Sequence, residues 1–155
     1  MRILKLVAVL GLVCLWPLRA SADDFGPYLA ADYDFVSAGG ITFQAYDGGA
    51  GFHLNRYLDL EAGYVGSQFL PVRFNGGYVD AYANWRFREW NRVSLFGTIG
   101  AEYVSIPGDV SSFGVRAGAG LEYGFSHEFR LRVGARYQTA IQSGLIVNVG
   151  FSEDL

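Results

Sequence analysis

Gly118-Ala-Gly-Leu-Glu-Tyr-Gly-Phe-Ser-His-Glu-Phe-Arg-Leu-Arg-Val-Gly-Ala-Arg-Tyr137 decides the fold. Ala119, Leu121 and Tyr123 alternate with Gly118, Gly120 and Glu122. After Ser126-His127, the residues Phe129, Leu131, Val133, Ala135 and Tyr137 alternate with Arg130, Arg132, Gly134 and Arg136. A period of two puts successive side chains on opposite faces of a strand. The interruption at Ser126-His127 is short enough for a tight turn, so the stretch is predicted to be a β-hairpin.

The same alternation recurs on both sides. Apolar faces run through Leu29–Phe35, Tyr46–Leu54, Leu58–Tyr64, Val79–Phe87, Val93–Tyr103, Phe113–Tyr123 and Leu145–Phe151. With the quoted return strand they make eight strands. No stretch after Ala22 carries a helical apolar period. Tight turns at Asn55-Arg56, Arg88–Asn91 and Ser126-His127 alternate with connections of equal or greater length at 37–40, 66–77, 105–111 and 139–143. That pattern suits a meander of hairpins.

Composition agrees. Of 155 residues 51% are hydrophobic and 16% aromatic, with 21 Gly but only 4 Pro. So many aromatics exclude disorder, and Gly without Pro excludes a collagen-like chain. A formal charge of −3 gives no support for nucleic-acid binding. The start of the chain is different in kind. Arg2 and Lys5 precede an apolar run from Leu6 to Leu15, and Ala20-Ser21-Ala22 forms a small-x-small site. Residues 1–22 therefore read as a secretory signal peptide, cleaved before Asp23, with a single domain over 23–155. Removing Arg2, Lys5 and Arg19 leaves nine basic residues, all Arg, against fifteen acids, a formal charge of −6. The only Cys and the only Met also lie in the leader. The exported domain has no disulfide and no thiol chemistry.

The polar face indicates which side is the interior. It carries Asp32, Asp34, Asp47, Asp59, Glu61, Asp80, Glu102 and Glu122 with Arg86, Arg116, Arg130, Arg132 and Arg136, interleaved with Gly. Small Gly beside long Arg suits a narrow packed interior in which guanidinium forks reach carboxylates. The apolar face has aromatics at both strand ends: Phe52, Trp85, Phe87, Tyr123, Phe129 and Phe151 at one, Tyr33, Phe35, Tyr64, Tyr103, Phe113 and Tyr137 at the other. Two aromatic girdles around a small-aliphatic band are what a bilayer with two interfaces selects. The predicted fold is an all-β, eight-stranded antiparallel up-and-down transmembrane barrel.

At these residues the chain resembles the small eight-stranded outer-membrane barrels of Gram-negative bacteria, the OmpA-like/OmpX-like group. Gly118–Tyr137 is similar to their penultimate hairpin. Gln142-Ser-Gly-Leu-Ile-Val-Asn-Val-Gly-Phe151 resembles their assembly signal, carried here by Gln142, Gly144, Val147, Val149 and Phe151. It departs in having Val147 and Val149 where aromatics are usual, and in continuing through Ser152–Leu155. The resemblance implies the outer membrane as location, and outer-membrane lipid and the assembly machinery as partners. It also implies periplasmic termini.

Candidate chemistry is sparse. His53 and His127 both fall at the termini end, and neither has the neighbours that a hydrolase, transferase or zinc site needs. No cofactor or metal is expected. Pairing about Ser126-His127 puts Glu122 opposite Arg130 with Arg132 a diagonal step away, and Glu102 near Arg116, which faces Arg136. A lower cluster of Glu61, Glu122, Arg130 and Arg132 and an upper one of Glu102, Arg116 and Arg136, with Asp34 or Asp80, follow. On that pairing, Glu122→Ala strands Arg130 and Arg132. The leading function is non-enzymatic: envelope structure and surface interaction, with residues 66–77 as a contact surface for a surface ligand. One alternative is a small ion pore gated by the Arg–carboxylate pairs. The other is a lipid-A-modifying enzyme with an atypical site.

Overall fold

The computed structural model describes residues 25–67, 73–86, 92–108, 111–126, 128–140 and 143–155. The predicted leader lies outside the described residues. Eight strands follow in order: β1 Gly26–Ala38, β2 Ile41–Asn55, β3 Leu58–Ser67, β4 Phe74–Arg86, β5 Val93–Ser105, β6 Ser111–Gly124, β7 Phe129–Gln138 and β8 Gly144–Asp154. Each pairs antiparallel with the next, and β1 returns to pair with β8, so the sheet is a closed barrel. Closure leaves no strand edge unpaired.

The alternation sorts cleanly between two faces. Leu29, Tyr64, Val79, Ile99, Val115 and Phe151 point outward and are exposed, Phe113 most of all at 79%. Asp32, Asp34, Asp47, Glu61, Asp80, Glu102, Arg116, Arg132 and Arg136 point inward and are buried. Both predicted aromatic girdles lie on the outer face among the described residues.

The inward face is not polar along its whole length. At the end away from the termini, Val36, Ala45, Val65, Phe74, Val104 and Ile146 form a buried cluster, joined by Phe43 and Ile106. These residues continue the polar parity: Val36 follows Asp34, and Val104 follows Glu102. The lumen therefore changes from charged to apolar with height, which the prediction of an apolar outer face did not include.

Two boundaries differ from those predicted. β2 begins at Ile41, before the first expected residue of its strand. The expected long connection over 66–77 is shorter, since Gly66, Ser67 and 74–77 all lie in strands. Gly76 and Gly77 read as loop signals. They sit in the ladder opposite Val104 and Tyr103, where a Cβ on Gly76 would run into the Tyr103 carbonyl. The turn between β6 and β7 is also wider than two residues. Ser126 Oγ accepts from the Phe129 N–H at 3.0 Å and the Glu128 N–H at 3.3 Å. The last ladder pair is Gly124 with Arg130, which moves Glu122 opposite Arg132 rather than Arg130.

Glycine marks where the interior has no room. Gly51 lies under the Tyr28 ring, Gly150 against the Asp32 carboxylate and Gly118 against Arg136. Gly49 and Gly63 face each other across β2 and β3, and a Cβ on Gly63 would meet the Gly48 carbonyl and Gly49 Cα. Gly63→Val is expected to cost about 1–3 kcal/mol through overpacking against immovable backbone. Gly26→Val, with open space around it, is expected to change little. Urea unfolding of both variants in micelles checks the contrast; equal midpoints would contradict it.

Candidate functional site

The lumen is filled in three layers. At the end that carries the termini, a belt of side chains joins six strands. Asn84 Nδ2 donates to Asp59 Oδ2 at 2.5 Å. Asp59 Oδ1 lies 2.7 Å from His53 Nδ1, and His53 Nε2 lies 3.1 Å from Asp154 Oδ1. Arg130 then donates to Asp154 Oδ2 at 2.5 Å and to Glu122 Oε1 at 3.3 Å. Tyr28 on β1 stacks on His53 with ring centroids 4.6 Å apart. The residues beyond Phe151 are thus part of the barrel. Ser152–Asp154 extend the ladder with β1, and Asp154 closes the belt.

The second layer centres on Arg132. Its Nη1 and Nη2 donate to Glu61 Oε2 at 3.0 and 3.1 Å, and the Tyr82 ring lies 5.4 Å from the guanidinium. Tyr78 Oη donates to the other Glu61 oxygen at 2.8 Å. Phe96 fills the space over Gly120 and Gly134.

The third layer centres on Asp47. Its Oδ2 accepts from Arg116 at 2.9 Å and from Arg136 at 2.6 Å. Arg136 also donates to Asp34, and Arg116 pairs with Asp80 at 3.3 Å. The Arg116 guanidinium lies 4.2 Å over the Tyr78 ring, a cation–π contact that links this layer to the one below. Above it stands the apolar cluster.

The expected residues are therefore present in the lumen, but in different company. Glu122 reaches Arg130, while Arg132 belongs to Glu61. Arg116 lies opposite Gly100 and Gln138, and Arg136 opposite Gly118, so the two arginines meet only through Asp47. Glu102 is buried next to Gln138, whose amide nitrogen, turned toward it, donates at 3.3 Å. Asp47 was not among the expected network residues. Its signal was present: it is the one acid on the inward face of β2, between Phe43 and Ala45 on one side and Gly49, Gly51 and His53 on the other. Asp154 was missed because the tail after Phe151 was set apart from the strand. Of the expected assembly signal, Gly144 is buried at the start of β8 and Val147, Val149 and Phe151 are exposed outward; Gln142 lies outside the described residues. His127 also lies outside them. Among the described residues no group of His, Cys, Asp and Glu is placed to hold a metal ion.

The sequence matches the family model of the outer membrane protein beta-barrel domain over residues 6–153. Three solved structures share the architecture. The N-terminal β-barrel domain of OprF from Pseudomonas aeruginosa is 16% identical with a TM-score of 0.66, covering 84% of this chain and 99% of that one. Neisserial surface protein A is 17% identical with a TM-score of 0.59, covering 84% and 97%. The attachment invasion locus protein Ail of Yersinia pestis is 16% identical with a TM-score of 0.53, covering 84% and 96%. No curated protein matches. At these identities the likeness shows the fold.

Breaking a buried pair by removing one partner leaves an uncompensated charge and costs about 3–5 kcal/mol. Glu61→Gln or Arg132→Met is expected to lose that much, because neither guanidinium nor carboxylate can reach water. Glu122→Ala is expected to change stability by no more than about 1 kcal/mol, because Arg130 keeps Asp154 and lies at the mouth. Unfolding midpoints of the three variants test this ranking; a Glu122→Ala loss equal to that of Glu61→Gln would refute it.

Proposed function

The chain belongs to the outer membrane protein β-barrel domain family, and from that premise we propose that it is a non-enzymatic barrel of the Gram-negative outer membrane, serving envelope structure and surface interaction. One observation carries the reading: the lumen is closed by side chains from mouth to cap. An eight-stranded barrel has little interior beyond its side chains. Here three arginines, their carboxylates, Tyr28, Tyr78, Tyr82 and Phe96, and the apolar cluster around Phe74 and Ile146 occupy it. What remains for contact is the outside.

On that reading the partners are three. The exposed aliphatic band between the girdles meets outer-membrane lipid. The outward Val147, Val149 and Phe151 of β8 meet the assembly machinery. The outer connection between β3 and β4, with its flanking strand ends, meets a surface ligand. His53 lends no support to the enzyme alternative. His53 is held by Asp59 and Asp154, and no serine hydroxyl is its partner.

The test is reconstitution. Purified barrel in planar bilayers is expected to give no discrete channel events; reproducible conductance would favour the gated-pore alternative. Lipid A from cells that express the protein is expected to keep its mass. A shift that disappears in a His53→Ala variant would favour the enzyme alternative.

A further inference from the structure

His53, near the end of β2, holds two carboxylates at once. Asp59 Oδ1 on β3 lies 2.7 Å from its Nδ1, and Asp154 Oδ1 on β8 lies 3.1 Å from its Nε2. A neutral imidazole has one N–H and one lone pair, and an ionised carboxylate only accepts. Both contacts are hydrogen bonds only if the trio carries one more proton. The imidazole is its most basic member, at about 6.5 against about 3.9 for a carboxyl. The second carboxylate oxygens widen that gap. Asp59 Oδ2 accepts from Asn84 Nδ2 and Asp154 Oδ2 from Arg130 Nη2, each at 2.5 Å, and donors on a carboxylate favour its ionised form. The geometry therefore requires an imidazolium.

The other groups around the ring are compatible with that charge. Tyr28 on β1 stacks on it at 4.6 Å, and Arg132 on β7 stands 6.0 Å from the Tyr28 ring. Arg130 on β7 lies beyond Asp154 and shares it with Glu122 on β6. With His53 charged, the belt sets two cations against Asp59, Asp154 and Glu122; with His53 neutral, Arg130 stands alone against all three. His53 and Asp154 keep 14% and 26% of their side chains exposed, so the proton exchanges with solvent at the mouth.

The place of the trio gives the charge a consequence. His53 is the ladder partner of Gly26 on β1 and of Asp59 on β3. Asp154 pairs with Tyr28 on the other side of β1. The bond from His53 to Asp154 thus passes over β1 and joins β2 to β8, across the seam at which the sheet closes. We propose that this seam is locked by a proton: the His53 imidazolium staples β8 to β2 and β3, and loss of its proton releases the end of β8. A neutral ring keeps one carboxylate. That one is Asp59, fixed opposite it in the ladder, whereas Asp154 retains Arg130 and turns away with the strand end. The unfolded chain gives up this proton at about pH 6.5 and the folded barrel keeps it. The staple is therefore complete below that pH and is lost as the pH rises further.

The whole barrel in neutral detergent micelles tests this by two readouts. In ring-nitrogen NMR, the histidine that remains in His127→Gln is His53. It is expected to carry protons on both nitrogens at about pH 7.5, one unit above the ordinary histidine value. Asp154→Asn is expected to lower its titration by about one pH unit or more, as the removal of a contacting opposite charge does. Glu122→Gln, separated from the ring by Arg130, is expected to move it less than half as far. The second readout is hydrogen-exchange protection of the Ser152–Asp154 amides, corrected for intrinsic rates. It is expected to fall at least tenfold as His53 titrates, and to be low and indifferent to that titration in Asp154→Asn. Should Asp154→Asn not fold, the wild-type ring state and protection across the titration decide the matter. A ring with a single N–H at about pH 7.5, equal shifts in Asp154→Asn and Glu122→Gln, or protection that does not follow the titration would overturn the proposal.

Discussion

Closure of eight strands on one another fixes the width of the lumen, and the rest of the structure follows from that width. A membrane offers no water to backbone groups, so the sheet must close. Closed at eight strands, it leaves space for side chains and little else. Every inward residue is then constrained by the one across from it. Tyr28 can turn into the lumen because Gly51 stands beneath its ring, and Phe96 because Gly120 and Gly134 do. The glycine content of the chain is largely the counterpart of its large inward side chains.

The same width decides how charge is neutralised. Arg116 on β6 reaches Asp47 on β2 and Asp80 on β4. Arg132 on β7 reaches Glu61 on β3, and Arg136 on β7 reaches Asp34 on β1 and Asp47 on β2. None of these pairs joins neighbouring strands. They are chords across the lumen, spanned by the long stem and fork of Arg. On Arg116 and on Arg136 a single nitrogen, Nη2, meets both carboxylates, whereas Arg132 turns Nη1 and Nη2 together onto Glu61. That residues 23–155 contain no lysine is consistent with a protein whose central cations must bridge.

This difference between ladder and chord explains what the sequence revealed and what it withheld. The strands, their number, their antiparallel order and the direction of each face follow from a period of two, a local property that Gly118–Tyr137 displays plainly. The inward location of Glu61, Glu102, Arg116, Arg132 and Arg136 follows from the same parity. Their partners do not. Register rules pair residues on adjacent strands, and they put Glu122 with Arg130 and Arg132, and Glu102 with Arg116. In the barrel the choice is made across the lumen, by strand tilt and by the two-residue shift that Ser126 imposes on the turn. Asp47 could be placed on the inward face but not identified as the shared acceptor, because its two cations come from strands far away in sequence. The apolar cap was hidden for a related reason. Val36, Val104 and Ile146 keep the parity of charged neighbours, and composition alone assigns them to the lipid side.

The two ends of the lumen are closed by different physics, and that bears on what each end can do. At the capped end, Phe43, Val65, Phe74 and Ile146 close the lumen by packing, and the buried Ser67 hydroxyl there is taken up by the Gln44 carbonyl. At the other end the belt from Asn84 to Glu122 is hydrogen-bonded, partly solvated and made of groups that can trade partners. Arg130 already divides itself between Glu122 and Asp154. A path for ions through the barrel would have to dismantle both closures and the Asp47 layer between them. The two ends of the lumen thus differ in kind, a hydrogen-bonded belt at the termini end and a packed apolar cap at the other.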